Sequence, residues 1–497
     1  MLFASLRRPL GFLVCSLLIS GAVQAQEPAK CRYSLAAAFP IHYVGPQLAP
    51  AIEASINGSP AMMVVGTGAA TSLNLDSVQK RNLPLRAGSR GGMIGGSDYT
   101  RVWTTRLDEF ALGPIRVNRI RELPVVGNTK YNMSFSYDGY LGAQMLFQKD
   151  VELDLHEKRM RMFESENCNG AKLRPWAEAT NVLPYNEQKN SWNPHFTVLV
   201  NGKEVDAAID TGVERSFMLL EAAKRIGIDE DANGVRIQGG HYGILSGDDR
   251  TARWSVPVAS LQLGNERLRD IELDVLDPKH PSGPELYLGL DFLRTHRVLF
   301  ANKQRQLYVA YAGGELFPRT AGVQPWMMLE AENGNPDAQY LLSHMIGVEQ
   351  PRAWLEKAAA QGQPQASLEL GRERMDSQPA AAIPLLRTAL DKMPSHRAAA
   401  LWLYNARVRN GEVELARTEL QASLGKQDDE WPQAIGEFYV GKLDAAGLLA
   451  AAGKDQALAR ERSCQANSYM MEWHAARGEK ERAASLQALV RAECARR

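Results

Sequence analysis

The stretch Ala207–Gly212, which reads Ala-Ala-Ile-Asp-Thr-Gly, decides how this chain of 497 residues is interpreted. Apolar residues lead into an acid, a hydroxyl and a glycine, an order typical of a strand that ends in a tight loop. A second copy of the pattern lies 144 residues earlier (66 against 210), where Met63–Gly68 reads Met-Val-Val-Gly-Thr-Gly. Gly66 occupies the place of Asp210, so the two copies differ at their one ionisable position.

Further matching segments extend this similarity into a long internal repeat, which predicts two homologous lobes. In each pair, the later segment lies about 144 residues after the earlier one, and the pairs occur in the same order along both lobes. The pairs are Asn57-Gly58 with Asn201-Gly202, Gly95-Gly96 with Gly239-Gly240, and Tyr140–Leu146 with Tyr287–Leu293.

Each lobe is predicted to be all-β with one short helix. The Asn-Gly pairs separate alternating apolar runs, which is a strong hairpin signal, and Leu220–Ile226 has the pattern of a short amphipathic helix. Pro and Asn residues in the stretch 173–193 predict a linker between the lobes. The predicted closing strands are Val151–Leu155 and Arg159–Phe163 in the first lobe, and Val298–Phe300 and Gln306–Val309 in the second.

The segment Ala208–Ser216, followed about eighty residues later by Leu288-Gly289, resembles the aspartic peptidases. It is most similar to their retropepsin-like lobes, which occur singly or in tandem in exported bacterial proteins. The resemblance covers about Ala51–Phe163 and Phe196–Val309, most of the first two thirds of the chain.

The resemblance implies a role for each part of the motif. In the family, one Asp from each lobe shares a proton with the other, because two carboxylates about 3 Å apart cannot both ionise, and the pair activates a water molecule. It implies Asp210 as the acid/base, and Thr67 and Thr211 as residues that lock the two loops together. The other implied site residues are Gly68 and Gly212 in the loops, Leu141, Gly142, Leu288 and Gly289 as support, and Gly95, Gly96, Gly239 and Gly240 in a mobile flap.

The sequence departs from the family at Gly66, since one carboxylate cannot form a proton-sharing pair. Loss of one member of such a unit costs several orders of magnitude in rate. Two copies of the chain could bring two Asp210 side chains together as a homodimer, or the chain could be an inactive member whose cleft binds peptides. A third hypothesis takes the second acid from Asp76, and the simplest alternative gives Asp210 only a structural role in its turn.

The last third, from Pro325 onward, is predicted to be helical and repetitive. The pattern Ala331-x-x-Gly334-x-x-x-Ala338 recurs as Ala359-x-x-Gly362-x-x-x-Ala366, a period of 28 residues (331 against 359). This resembles degenerate Sel1-type repeats of the tetratricopeptide superfamily, and implies an α-solenoid that binds proteins or peptides. A plain helical bundle is the alternative. The tryptophans of this region are expected in its core rather than in a ligand-stacking series.

The first 25 residues have the charged start, the apolar run and the small-residue cleavage site of a secretory signal peptide. Removing them leaves four cysteines, an even number that invites two disulfides in an oxidising compartment. Neighbours within each region give Cys31–Cys168 and Cys464–Cys494, and unpaired buried thiols are the alternative. No pair has the spacing of a metal site.

Composition and charge exclude several other classes. The 57 basic and 57 acidic residues balance, and loss of the two arginines of the leader gives −2, so a nucleic-acid partner is not expected. No later segment is apolar for 18 residues, so no membrane insertion is expected, and no cofactor motif is present.

The sequence thus predicts two all-β aspartic-peptidase-like lobes followed by an all-α helical-repeat domain. The expected function is an exported, periplasmic or secreted aspartic-type endopeptidase, with homodimerisation as a way to supply the second Asp. An inactive adaptor that binds peptides or proteins is the alternative. The predicted divisions are 1–25 signal peptide, 26–170 first lobe, 171–193 linker, 194–312 second lobe, 313–325 linker and 326–497 helical repeats.

Overall fold

A computed structural model describes most of the chain after the leader. The described residues are 30–45, 47–94, 98–126, 136–186, 193–229, 235–237, 252–278, 283–317, 322–394, 396–424, 431, 433–456 and 458–494. The predicted signal segment lies outside them, and so do the glycines predicted to form the flaps, Gly95, Gly96, Gly239 and Gly240.

The first lobe contains eleven described strands and two short helices, α1 (Leu75–Lys80) and α2 (Ala143–Leu146). The strands are β1 (Arg32–Pro40), β2 (His42–Val44), β3 (Ala49–Ile56), β4 (Ser59–Gly66), β5 (Ser72–Asn74), β6 (Arg86–Ile94), β7 (Asp98–Leu112), β8 (Ile115–Val126), β9 (Gly139–Gly142), β10 (Asp150–Asp154) and β11 (Arg159–Glu166).

The second lobe repeats this series, with short helices α3 (Leu220–Arg225) and α4 (Leu290–Leu293). Its described strands are β12 (Asn181–Asn186), β13 (His195–Val200), β14 (Lys203–Ile209), β15 (Phe217–Leu219), β16 (Val235–Ile237), β17 (Ala252–Leu263), β18 (Glu266–Asp277), β19 (Leu286–Leu288), β20 (His296–Ala301) and β21 (Gln306–Tyr311).

The strand order confirms that the lobes are homologous. In the first lobe the neighbours run β3-β4-β9-β5-β8-β7-β6 with an added β3–β7 pairing, and in the second they run β13-β14-β19-β15-β18-β17-β16 with an added β13–β17 pairing. Both hairpins turn on the predicted Asn-Gly pairs, since Asn57 and Asn201 have φ of 48° and 50° and the following glycines have φ of 78°. Positive φ at both central residues is the type I′ geometry that Asn-Gly favours.

The predicted closing strands have a further role, because they join the two lobes. β10 pairs antiparallel with β20, with Val151 opposite Phe300, and the neighbouring strands extend this sheet as β1-β11-β10-β20-β21-β12. The predicted linker 171–193 is therefore part strand: β12 pairs with β21 and with β13. Its apolar residues alternate, so Leu183 and Tyr185 are buried while Pro184 is exposed. A proline is tolerated at an exposed strand position.

Helices occupy the described chain from Pro325 to Cys494, in agreement with the predicted fold class. They are α5 (Pro325–Glu332), α6 (Pro336–Leu342), α7 (Pro351–Ala360), α8 (Pro364–Arg374), α9 (Pro379–Lys392), α10 (Arg397–Arg409), α11 (Val413–Leu424), α12 (Gln433–Tyr439), α13 (Ala445–Ala452), α14 (Ala459–Ala476) and α15 (Lys480–Cys494). No described helix is both long and apolar enough to cross a membrane.

The helical region is fixed to the first lobe by buried polar contacts at the start of α6. The Asp337 carboxylate accepts from the backbone N–H of Gly45 and from the Ser136 hydroxyl, both at 2.7 Å. Asn335, which also caps α6, donates its side-chain amide to the Tyr43 carbonyl at 2.8 Å. Because each of these groups has a partner, the hydrogen bonds offset part of the free-energy cost of removing them from water.

Both predicted disulfides are present, Cys31–Cys168 and Cys464–Cys494. The first joins the start of β1 to the segment after β11, so it closes the first lobe. The second links α14 to the end of α15, so it staples this helical hairpin. The tryptophans of the helical region were expected in its core, but each is only half-buried and packs against an apolar cluster. They are Trp326, Trp354, Trp402, Trp431 and Trp473.

Candidate active site

Two loops, one from each lobe, meet at the ends of β4 and β14 and are locked by their threonines. The Thr67 hydroxyl donates to the Ile209 carbonyl at 2.8 Å and accepts from the N–H of Thr211 at 3.0 Å. Reciprocally, the Thr211 hydroxyl donates to the Val65 carbonyl at 2.5 Å and accepts from the N–H of Thr67 at 3.0 Å. Both threonines are fully buried. Thr67 and Thr211 thus lie where the resemblance implied, and they join lobes of the same chain.

Parallel strand pairing positions these loops. Val65 lies beside Leu141 on β9, and Ile209 lies beside Leu288 on β19. The next residue, Gly142 or Gly289, passes directly under the loop of its own lobe. A Cβ on Gly142 would lie 2.2 Å from the Thr71 nitrogen, and one on Gly289 would lie 2.6 Å from the Val213 carbonyl. Only glycine fits such close backbone contacts, which explains the Leu-Gly motif in each lobe.

Asp210 lies where the loops of the two lobes meet, partly exposed at the end of β14. Its carboxylate accepts from the backbone N–H of Gly212 at 2.8 Å and from that of Gly68 across the lobe boundary. Burial raises the pKa of the Asp210 carboxyl, while the two backbone hydrogen bonds lower it by a smaller amount. Gly68 lies so close that a Cβ there would lie 2.3 Å from a carboxylate oxygen.

Gly66 occupies the position that pseudo-symmetry gives to a second carboxylate. It is buried at the end of β4, and its nearest neighbours around a hypothetical Cβ are Ala69, Leu141 and Tyr140 at 3.0–3.7 Å. None of these neighbours carries a carboxylate. The loop in the first lobe therefore keeps the hydrogen bonds of the motif and lacks its acid.

Other acids among the described residues do not replace the missing one. Asp76 is buried in α1, where its charge acts on the pKa of Lys80. Among the described groups that shift the pKa of Asp210, no carboxylate appears. The sequence hypothesis that Asp76 completes a pair with Asp210 therefore gains no support from the structure.

Sequence reasoning missed one part of the site, namely the polar side chains that hydrogen-bond to the backbone next to each loop. In the second lobe, Asp291 accepts from the N–H of Ser216 at 2.9 Å and from its hydroxyl at 2.6 Å, and that hydroxyl accepts from the N–H of Gly289 at 2.9 Å. In the first lobe, Gln144 accepts from the N–H of Thr71 at 3.0 Å, and the Thr71 hydroxyl accepts from the N–H of Gly142 at 3.0 Å.

The repeat carried a signal for these networks. Thr71 and Ser216 lie at similar distances after the Gly-Thr-Gly and Asp-Thr-Gly motifs, and Gln144 and Asp291 lie at the same distance after the Leu-Gly motifs. The two networks differ in charge, because Asp291 is an acid and its counterpart Gln144 is not. Burial raises the pKa of the Asp291 carboxyl, and the hydrogen bonds from Ser216 lower it by a smaller amount. Within the part of the chain that the structure describes, no cluster of His, Cys, Asp and Glu could hold a metal ion.

Comparisons with known proteins agree with this geometry. The profile of a family described as "Aspartyl protease" matches residues 52–143 and 196–292, which are the two lobes. A second profile, described as "Tetratricopeptide repeat", matches residues 374–435 in the helical region. The two lobes therefore match the aspartyl protease family model, and a region that matches tetratricopeptide repeats follows them. Both the family and the fold class predicted from the sequence are confirmed.

Among solved structures, the chain is similar to the crystal structure of an aspartic proteinase from Irpex lacteus. The two share 11% sequence identity with a TM-score of 0.36, and the alignment covers 56% of this chain and 97% of the other. A search of curated proteins found no match.

Proposed function

We propose that this protein is exported and binds extended peptides in the cleft between its lobes without efficient hydrolysis. The observation that carries this proposal is the pairing of the two loops within one chain, which places Gly66 opposite Asp210. Proton sharing between two acids is what allows one to act as a base on water while the other donates to the scissile carbonyl. With one acid, the cleft can still form hydrogen bonds to a peptide, but no second carboxyl is present to take the other of these two roles.

The homodimer hypothesis becomes less favourable because of the same contacts. Two second lobes could pair only if Thr211 exchanged its bonds to Val65 and Thr67 for bonds to another copy. The β10–β20 pairing that continues one sheet through both lobes would also have to open or rearrange. Breaking buried hydrogen bonds costs about 1–3 kcal/mol for each group left unpaired.

Asp210 still has a role in a binding cleft. A carboxylate at this position can accept hydrogen bonds from peptide N–H groups, and one of its oxygens already accepts from the N–H of Gly212. The helical region supplies a second surface of the type that binds proteins. Export is supported by the two disulfides, which persist in oxidising compartments.

A binding assay tests the proposal. A library of unstructured decapeptides, fluorescently labelled, is titrated with residues 26–497 and with Gly68→Leu. A side chain at Gly68, which is exposed, would stand against the Asp210 carboxylate, so we expect the bound fraction to fall at least tenfold. The matched control is Gly453→Leu in the helical region, where the nearest atoms are 3.7 Å from an added Cβ. Equal binding by Gly68→Leu and the control would refute a peptide-binding cleft.

A second candidate function is slow peptide hydrolysis by Asp210 alone. It is favoured by the complete hydrogen-bonded loop around this carboxylate, with donors from both Gly68 and Gly212. This candidate requires cleavage that disappears in Asp210→Asn, which separates it from pure binding.

A further inference from the structure

A cavity of about 670 Å³ lies where the two lobes and the first helix of the helical region meet. Its wall includes Tyr43 of the first lobe, Arg294 of the second lobe, and Trp326 and Met327 of α5. Asp210 is not among the described residues that line it. The cavity is therefore distinct from the candidate active site.

Most charged groups of this wall are paired within the chain. Lys158 of the first lobe forms an ion pair with Glu330 of α5. In the second lobe, Arg215 and Arg253 both pair with Asp274, with nitrogen–oxygen distances of 3.3 and 2.7 Å. Buried charges are paired in this way because an isolated one is costly to remove from water. Three bases and two acids give these five groups a formal charge of +1.

The remaining basic group of the wall is Arg294, which interacts electrostatically with the carboxylates of Glu214 and Asp291. One base and two acids give these three groups a formal charge of −1, so they cancel the +1 of the others. With His156 counted as neutral, the acid left over is Glu315. Its carboxylate is exposed and has no ion pair or hydrogen bond among the described residues. The unmatched charge of the wall is therefore negative.

Apolar side chains continue from the cavity onto the exposed surface. Leu329 of α5 and Met345, in the segment between α6 and α7, both line the cavity. Leu329 is 54% exposed, and Ile346, which follows Met345 directly, is 99% exposed. Contiguous exposed apolar residues with a polar rim mark interaction sites, whereas single exposed apolar residues do not.

Two further acids flank these apolar residues. Glu332 lies three residues after Leu329 on α5, and residues at this spacing are neighbours on a helix. Glu349 lies three residues after Ile346, shortly before α7. Both acids are exposed, and within the described chain neither carboxylate has an ion pair or hydrogen bond. The three apolar residues and the three unpaired acids together form the junction patch: Leu329, Met345, Ile346, Glu315, Glu332 and Glu349.

We propose that the junction patch binds a segment of a partner protein in which apolar side chains are flanked by lysine or arginine. An apolar side chain of the segment enters the cavity beside Met327, and its basic groups pair with the unpaired acids of the patch. Charge complementarity favours this partner, because unpaired acids attract a basic segment and repel an acidic one or an anionic membrane surface. A segment also reaches Ile346, which lies outside the cavity wall.

Calorimetric titration of residues 26–497 with capped heptapeptides tests the proposal. The first probe is acetyl-Lys-Lys-Leu-Phe-Leu-Lys-Lys amide, and two others replace its lysines by glutamine or by glutamate. A fourth keeps the lysines around an Ala-Ala-Ala centre. We expect the first probe to bind at least about tenfold more tightly than each of the others. Equal binding of the lysine and glutamate peptides, equal binding of the two centres, or no binding at about 1 mM would overturn the proposal.

Variants of the apolar residues test the location of the bound peptide. Leu329→Ser and Ile346→Ser keep every acid of the patch and remove exposed apolar surface, so we expect each to weaken binding of the first probe at least about fivefold. The matched control is Leu449→Ser, which changes an apolar residue of α13 that is 38% exposed. Unchanged binding by both patch variants would contradict the location. Because these side chains are exposed, the midpoints of thermal unfolding should stay close to that of the wild type.

The acids are tested by a double variant, Glu315→Gln with Glu332→Gln. It keeps the size of both side chains and removes their charges, so we expect binding of the lysine peptide to approach that of the glutamine peptide. Added salt should weaken wild-type binding and have less effect on this variant. The matched control is Glu414→Gln on exposed α11. Equal salt dependence of the wild type and the double variant would contradict the role of the acids.

Sedimentation separates a basic protein segment from two other occupants of the patch. Self-association of the wild type that is lost in Ile346→Ser would identify a second copy of the chain. Cosedimentation with vesicles of phosphatidylcholine and phosphatidylglycerol that is lost in Ile346→Ser would identify a membrane surface. We expect neither, and either result would overturn the proposal.

Discussion

The first and second lobes share their strand order, their threonine lock and their Leu-Gly crossing, and differ at Gly66 and Asp210. The first lobe has the same threonine lock and Leu-Gly crossing around its loop, although it has no acid to present. This difference teaches that the motif has two separable functions. Thr67 and Thr211 join the loops of the two lobes, while the residue before each threonine determines whether that loop presents a carboxylate.

The largest effect is expected from breaking the lock that both lobes share. Thr211→Val removes one hydroxyl and leaves the Val65 carbonyl and the Thr67 N–H buried without it. Thr67→Val does the same to Ile209 and Thr211. At about 1–3 kcal/mol for each unpaired group, each substitution should lower the free energy of unfolding by about 2–4 kcal/mol in urea titrations.

The control for these substitutions is Thr418→Val on exposed α11. It should change the free energy of unfolding by less than about 0.5 kcal/mol. Losses no larger than this in the two lock variants would mean that the threonines do not hold the lobes together. A large loss from only one of them would contradict the proposal that the two threonines contribute equally.

The next largest loss of stability is expected from substituting the glycines of the two Leu-Gly motifs, and the loss should differ between the lobes. Gly142→Ala places a Cβ 2.2 Å from a backbone nitrogen, whereas Gly289→Ala places one 2.6 Å from a backbone oxygen. Overpacking of this kind costs about 1–3 kcal/mol, and we expect the greater loss in the first lobe. Differential scanning calorimetry of both variants, with Gly453→Ala as the control, measures the order. A greater loss for Gly289→Ala would contradict it.

Restoring the missing acid should have a smaller, pH-dependent effect. Gly66→Asp adds a Cβ 3.0 Å from that of Ala69, which requires a slight shift, and places a second carboxyl opposite Asp210. Two adjacent carboxyls raise one pKa above its unfolded value of about 3.9. Stability is then intact below about pH 4 and is lost as the pH rises toward the raised pKa, by about 1.4 kcal/mol per unit of the shift.

The matched control is Gly66→Asn, which has the same size and no charge. Urea titrations at several pH values between about 4 and 7 compare the two variants. The free energy of unfolding of Gly66→Asp should fall with pH relative to Gly66→Asn. Parallel pH profiles would show that residue 66 does not face Asp210.

The smallest effect is expected at Asp210 in the unaltered chain. Burial raises the pKa of this carboxyl above its unfolded value, so its ionisation destabilises the fold as the pH rises from about 4. Asp210→Asn removes this penalty. The variant should therefore gain stability relative to the wild type with rising pH, and a constant difference between pH 4 and 7 would contradict the raised pKa.

Much of this site could be predicted from sequence because the repeat supplied a second copy of each element. The loops, the Leu-Gly crossings and both disulfides follow from residue types that have few alternatives in such places. The shared sheet and strand β12 could not be predicted in this way, since β10 contacts β20 across nearly 150 residues and the Pro-containing segment had the composition of a linker.

The cavity between the two lobes and α5 was equally hidden from the sequence, because its wall combines three regions of the chain. Whether a buried charge has a partner depends on packing between distant residues. The Ser216–Asp291 network was hidden for the same reason, although the repeat placed its first-lobe counterpart at a similar offset.

Peptide turnover tests the central claim most directly. Residues 26–497 and Asp210→Asn are incubated with the same unstructured peptides between about pH 4 and 7, and the products are counted by mass spectrometry at several protein concentrations. We predict that the wild type forms no more product than Asp210→Asn at any concentration. Cleavage by the wild type that is lost in Asp210→Asn would contradict the claim, and a rate rising with the square of protein concentration would identify a homodimer as the active species.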